Sequence, residues 1–200
     1  TQSRSRTALV TGASSGIGAT YAERFARCGH DLVLVARNKS RLDALAMRLR
    51  EQHQIAVEVL QADLTNSAEL PALETRLRHD ARIGILINNA GMPQSGHFLE
   101  QSPEAIESQI ALNITALTRL AAAIAPRLAQ SGTGSIVNIG SVVGFSPEFG
   151  ISLYGATKAY VLFLSQGLAH ELSPQGVYVQ AVLPAATRTE IWAHAGVDVN

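Results

Sequence analysis

Two side chains four residues apart, in Tyr154-Gly155-Ala156-Thr157-Lys158, have the types and spacing that acid–base chemistry requires. On a helix, positions i and i+4 share a face, so the phenol and the ammonium would lie side by side. A phenol titrates at about 10 and a lysine at about 10.4. A neighbouring cation favours the phenolate, so Lys158 would make Tyr154 a better proton donor and acceptor near neutral pH. Solvated helix faces carry the same spacing, so the pair acquires meaning only from the elements that position it.

Those elements begin with Thr7 to Thr11, a short apolar run that breaks into Gly12-Ala13-Ser14-Ser15-Gly16-Ile17-Gly18. Ala19 to Cys28 then reads as a helix stopped by Gly29. Strand, glycine loop and helix together aim backbone N–H groups and a helix N-terminus at a phosphate. The spacing is Gly-x3-Gly-x-Gly rather than the commoner Gly-x-Gly-x2-Gly. Asp31 to Ala36 is a second buried strand, followed at once by Arg37. In a dinucleotide fold an acid at this place accepts from the ribose 2′-hydroxyl. Here a guanidinium stands instead and suits a 2′-phosphate, with Asn38 able to add a hydrogen bond. A solvated arginine closing the strand is the plainer alternative.

Ser40 to His53 reads as a basic amphipathic helix with Leu42, Leu45 and Leu49 on one face. Ile55 to Gln61 is a third strand, and Asp63 after it either accepts from an adenine amino group or caps the next turn. Ala68 to His79 is a helix with Pro71 in its first turn. Ile83 to Ile87 is a fourth strand running into Asn88-Asn89-Ala90-Gly91, where adjacent asparagines would tie backbone across a sheet or beside a ligand. Met92 to Glu100 reads as a loop. A long helix follows from about 103 to 130, with an interruption expected near Pro126. It contains Asn113, mildly unfavourable in a helix interior, which either faces solvent or has a task. Ser135 to Ile139 is a fifth strand ending at Gly140-Ser141, and Val142 to Leu153 a loop. Tyr154 opens a helix to about Leu172 that is apolar on most sides, and Val177 to Leu183 is a sixth strand before Pro184. Strands alternating with helices give an α/β, doubly wound parallel sheet with right-handed crossovers.

The 200 residues suit one domain, spanning 1–200. Charged residues are 16% and hydrophobic ones 46%, a compact and strongly packed composition. Lys plus Arg equals Asp plus Glu at 16 each, so no net field recommends nucleic acid or an anionic membrane as partner. No apolar run approaches the roughly 20 residues of a membrane span. Thr1 to Arg6 is polar with no apolar run behind it, unlike a signal peptide. Cys28 is the single cysteine and fits a small packing residue in a reducing, cytoplasmic setting. The six histidines show no ligand spacing, so no metal is expected. Met92, Gln94, Phe145, Phe149 and Trp192 are candidate pocket walls for an apolar substrate portion.

In their order and spacing, Thr11-Gly12-x3-Gly16-x-Gly18, Asn88-Asn89-Ala90-Gly91, Asn113, Ser141 and Tyr154-x3-Lys158 resemble the short-chain dehydrogenase/reductase family over essentially the whole chain. The resemblance implies a three-layer Rossmann-type sheet of strand order 3-2-1-4-5-6 with a nicotinamide cofactor at the strands' carboxyl ends. It implies that Gly12, Gly16, Ile17 and Gly18, with Ser14 and Ser15 between them, cradle the pyrophosphate. Asp63 and Leu64 would flank the adenine, while Asn89, Ala90 and Gly91 would line the cofactor. Tyr154 would be the acid/base, and Lys158 would hold the nicotinamide ribose and tune Tyr154. Ser141 would orient a carbonyl, Asn113 would help a water relay to Lys158, and Pro184, Thr187 and Thr189 would touch the nicotinamide end.

Two departures stand out. The family has glycine after the proline that follows the sixth strand, where this chain has Ala185. Members also continue into a substrate-covering segment and a seventh strand, so a chain ending at Asn200 looks truncated. The expected activity is hydride transfer between NADP(H), rather than NAD(H), and a carbonyl or secondary alcohol. A cofactor-binding sensor or scaffold, or an epimerase working through a transient ketone, are the alternatives. The two long late helices would pair across a two-fold axis in a homodimer or homotetramer.

Overall fold

Runs such as Leu32–Ala36 and Ile83–Asn88 are apolar at nearly every position because both of their faces are covered, as in a parallel sheet with helices on each side. The structure, a computed structural model, describes residues 6–93 and 97–185. Gln94, Thr187, Thr189 and Trp192 lie outside the described residues. The strands are β1 (Thr7–Thr11), β2 (Leu32–Ala36), β3 (Val57–Gln61), β4 (Ile83–Asn88), β5 (Gly134–Ile139) and β6 (Val177–Val182). They form one parallel sheet in the order β3-β2-β1-β4-β5-β6. The order reverses at β1 and β4, and a crevice opens there outside the carboxyl ends of the strands.

Successive residues of a strand feed opposite layers. Ala8, Val10, Leu32 and Leu34 pack with α1 (Gly16–Arg27) and α2 (Lys39–His53). Leu9, Val33 and Val35 pack on the other face with α3 (Leu70–His79) and the later helices. The apolar stripe of α2 is buried at Leu42, Leu45, Ala46 and Leu49.

The long helix differs from expectation in where it breaks. It comprises α4 (Pro103–Ile110), a π-helical segment over Ala111–Ala116 and α5 (Leu117–Ser131). The irregularity falls at Asn113, and Pro126 lies inside α5. Pro126 and Ala122, whose carbonyl loses its amide partner to the proline, both face solvent, so water can serve the freed group. Pro103–Ser131 is also long and apolar enough to cross a membrane by length and composition, contrary to the sequence reading. Its Leu117, Leu120, Ile124 and Leu128 are buried against the sheet, which marks a core helix.

The segment between β5 and the next helix contains two short 3₁₀ turns, Val142–Phe145 and Pro147–Phe149. Helix α6 (Ser152–Leu172) begins two residues before Tyr154, placing the phenol in its first turn. It is buried on one face only, for Tyr160 and Phe163 are exposed. Cys28 is exposed at the end of α1 rather than packed.

Candidate active site

The ends of β1 and β4 are stitched together before any ligand is considered. Thr11 Oγ1 accepts from the backbone N–H groups of Asn89 and Ala90, each at 3.0 Å. Asn89 Nδ2 donates to the carbonyls of Thr11 (2.9 Å) and Gly12 (3.1 Å). Asn89 therefore ties the glycine loop to the sheet while also facing the cavity. Gly12 has φ +64°, and a Cβ there would stand 2.7 Å from Asn89 Nδ2 and 2.9 Å from Ala90 Cα. A Cβ on Gly18 would come within 2.4 Å of the Gly12 carbonyl. Gly18 thus lets α1 close on the loop and does not itself line the cavity. Ser15 is the N-cap of α1, yet its hydroxyl makes no capping bond, and no acid occupies the first turn. The positive end of α1 is turned to the space lined by Ser14, Ser15, Gly16 and Ile17.

That space is one cavity of about 660 Å³ running along the carboxyl ends of the strands. One end is basic, lined by Arg37 after β2 and by Asn38 and Arg41 at the start of α2. Asn38 Oδ1 accepts from the Arg41 N–H at 3.0 Å, so its oxygen is committed to capping α2. Arg41 escaped the sequence reading. Its signal was available: it stands four residues after Arg37, in a helix first turn that holds no acid, where a cation opposes the helix dipole. Asp63 and Leu64 line the same end. Asp63 Oδ1 accepts from the Thr65 N–H (2.9 Å) and hydroxyl (2.7 Å), so the carboxylate holds the turn after β3. Burial pushes that carboxyl's pKa up, but the Thr65 bonds and the Arg37 charge outweigh it and hold the value below the ordinary range.

The other end carries Ser141, Tyr154 and Lys158, joined by Ala90, Gly91, Met92 and Pro184. Ser141 follows β5; its Oγ donates to the Pro184 carbonyl and accepts from the Val143 N–H, each at 3.4 Å. Lys158 is only 6% exposed, and its Nζ donates to the Ile139 carbonyl at 2.9 Å. Nζ lies 5.5 Å from the centre of the Tyr154 ring. Burial lowers the Lys158 pKa to about 8. Burial also raises that of Tyr154, while a hydrogen bond with Ser141 pulls it back down. The expectation that Lys158 draws Tyr154 towards neutrality is therefore corrected for the protein alone. Desolvation of the phenolate wins, and the lysine's own charge is weakened by the same burial.

Asn113 is buried, which removes the solvent-facing alternative. Its Oδ1 accepts from the Met92 N–H at 2.9 Å, and its Nδ2 donates to the Met92 carbonyl at 3.0 Å and to Thr157 Oγ1 at 3.1 Å. It stands behind the lining, with Gly91 in between. A Cβ on Gly91 would lie 3.3 Å from Asn113 Oδ1 and 3.5 Å from Lys158 Nζ. Of the anticipated pocket walls, Met92 lines the cavity, whereas Phe145 and Phe149 are exposed outside it. Ala185 lines it beside Pro184.

Comparison with known proteins gives the same picture. The family model described as short chain dehydrogenase matches residues 6–199. An oxidoreductase of Staphylococcus saprophyticus is 37% identical over 187 residues, covering 93% of this chain and 80% of that one. The human very-long-chain 3-oxoacyl-CoA reductase is 33% identical over 188 residues, 92% of this chain, and the chain spans only 60% of its length. Among solved structures, a short-chain dehydrogenase from Sphingobium yanoikuyae in complex with NADPH is 76% identical with a TM-score of 0.96, over 97% of this chain and 76% of that one. A bulky-bulky ketone specific alcohol dehydrogenase from Comamonas testosteroni is 67% identical with a TM-score of 0.92, over 93% and 74%. A glycine loop along one crevice that ends in a buried Ser–Tyr–Lys group, on this sheet order and with these relatives, places the chain in the short-chain dehydrogenase family of oxidoreductases.

Proposed function

We propose that the chain is an NADP(H)-dependent carbonyl reductase, acting in reverse as a secondary-alcohol dehydrogenase. One observation carries the reading: Ser141, Tyr154 and Lys158 lie at one end of a continuous cavity whose other end presents Arg37 and Arg41. The cradle fits a dinucleotide, since Gly12 and Gly18 leave no room for a Cβ and the α1 N-terminus faces the loop. The loop from Gly12 to Ile17 would hold the pyrophosphate, Asp63 and Leu64 the adenine, Arg37 and Arg41 a 2′-phosphate, and Lys158 the nicotinamide ribose. The complex of the 76% identical relative with NADPH supports the choice of cofactor. When bound, the nicotinamide supplies or accepts the hydride.

The protein's own part is proton transfer and charge stabilisation. Tyr154 donates its phenolic proton to the carbonyl oxygen and recovers it in the reverse direction. Ser141, beside it, donates a hydrogen bond to the oxygen on which charge grows. The Lys158 ammonium stabilises the phenolate left behind. Asn113 takes a supporting share in proton delivery to Lys158 by fixing Met92 and Thr157 around Gly91.

Apolar Met92, Pro93 and Leu112 at the reacting end, together with the named specificity of the Comamonas relative, favour ketones flanked by two bulky groups. Residues 1–200 act as one catalytic domain in a cytoplasmic homodimer or homotetramer. The test is NADPH oxidation against a panel of bulky ketones, small ketones and 3-oxoacyl thioesters, with Tyr154→Phe as control. We expect turnover on the bulky ketones, and a loss on the order of 10²–10⁴-fold in Tyr154→Phe with NADPH affinity retained. Near-normal turnover in that variant would refute the assignment.

A further inference from the structure

We infer that Asn138 and Ser165, remote from the cavity, are positioning residues that set the depth of Tyr154 and Lys158; this rests on the function proposed above. The buried residues of α6 are Tyr154, Thr157, Lys158, Val161, Ser165 and Leu172. Most of that face is polar, and the large Phe163 of the same helix points to solvent. Apolar packing is non-directional and tolerates small slides along a helix axis. Hydrogen bonds do not, so the register of this helix falls to its polar contacts.

Besides the Lys158 bond to the Ile139 carbonyl, two hydroxyls on the buried face of α6 make such contacts. Near the site, Thr157 Oγ1 donates to the Tyr154 carbonyl at 2.8 Å and accepts from Asn113. Further along, Ser165 Oγ donates to the Val161 carbonyl at 2.6 Å and accepts from Asn138 Nδ2 at 3.0 Å. Asn138 Oδ1 in turn accepts from Asn88 Nδ2 at 3.0 Å. Asn88 and Asn138 are register partners on β4 and β5, which puts their side chains on one side of the sheet. Asn88 Nδ2 also reaches the Leu117 carbonyl at 3.2 Å, just past the π-helical segment that carries Asn113. The bonds thus link β4, β5, α6, the π-helical segment and the start of α5. Asn138 precedes Ile139, whose carbonyl holds Lys158.

Asn138 is fully buried and Ser165 and Asn88 nearly so. Among the described residues Asn88 Oδ1 has no hydrogen-bond partner, and burying so many polar groups costs stability that an apolar core would keep. Directional control of α6 is the return on that cost.

The test is Ser165→Ala, compared with Ile124→Val, which trims a buried α5 side chain away from the ladder. Each is assayed for melting temperature, NADPH affinity, kcat and the pH profile of kcat. We expect Ser165→Ala to lower kcat by about tenfold or more and to displace the pH midpoint, with NADPH affinity held. Ile124→Val should lower melting temperature alone. Ser165→Cys, of similar volume but a weaker acceptor, should fall between wild type and Ser165→Ala, and decides the matter if Ser165→Ala does not fold. Loss of melting temperature in the serine variants with kcat and pH profile unmoved would overturn the inference. Full turnover in Tyr154→Phe would instead overturn the reading of the site.

Discussion

Lys158 sits where its charge is disfavoured, and the proposed chemistry uses that. Desolvation leaves its ammonium half-protonated at about pH 8, although the Ile139 carbonyl remains its partner. NADPH is an anion and prefers the protonated form. Affinity is therefore fullest below that value and falls as pH rises through about 8. Titrating NADPH fluorescence across this range measures it, and Lys158→Ala should abolish the step. A flat affinity in wild type would mean that cofactor binding does not sense this proton. At the basic end, Arg37→Ala and Arg41→Ala should each weaken NADPH roughly tenfold and leave NADH unchanged, because a charged hydrogen bond to phosphate is lost in one case only. Calorimetric titration of both nucleotides decides this, and equal losses for the two would contradict the 2′-phosphate assignment.

At the scale of elements, the glycine loop and the π-helical segment do most to shape the site. Gly12 combines positive φ with a neighbour that a Cβ would strike, whereas Gly29 has φ +78° and, among the described residues, nothing within 4 Å of such a Cβ. Gly29→Ala should therefore cost only conformational strain, about 1 kcal/mol by denaturant unfolding. Gly12→Ala should cost more and should also abolish NADPH binding, because Asn89 and Ala90 must move. Equal behaviour of the two variants would show that the loop has slack. The π-helical segment places the Asn113 amide between Met92 and Thr157. Insertion of such a turn re-aims a side chain without ending the helix, and functional sites favour it.

For the whole molecule, the outer face of α6 matters. Phe163 is 80% exposed, and Tyr160 is exposed as well, with its hydroxyl 3.0 Å from Thr118 Oγ1 of α5. The hydroxyl contact joins the two helices into one surface, on which the proposed two-fold pairing of subunits would rest. Phe163→Glu should shift the assembly to monomer in sedimentation velocity with helix content unchanged. A wild-type chain that sediments as a monomer at micromolar concentration would exclude the dimer.

By itself the sequence determined the alternation of strands and helices, the glycine loop between β1 and α1 and the Tyr154–Lys158 spacing. These follow from apolar runs, glycine placement and helical periodicity, which act over a few residues. Right-handed crossovers follow from chain chirality once the alternation is known, whereas the strand order was implied only by the family resemblance, because the same alternation also suits the order 2-1-3-4-5. Only the tertiary structure decided what depends on partners distant in sequence. Asn113 distorts its helix because Met92 and Thr157 claim its amide, and Pro126, the residue with a local reputation for breaking helices, does not break one. Arg41 joins Arg37 because α2 starts at the cavity rim. Asn138 and Ser165 read as ordinary residues until β5 and α6 are packed together. The shift of Tyr154 had the opposite sign to that expected from Lys158, because burial is a property of the folded surroundings and outweighs a charge whose own hydration the fold has removed.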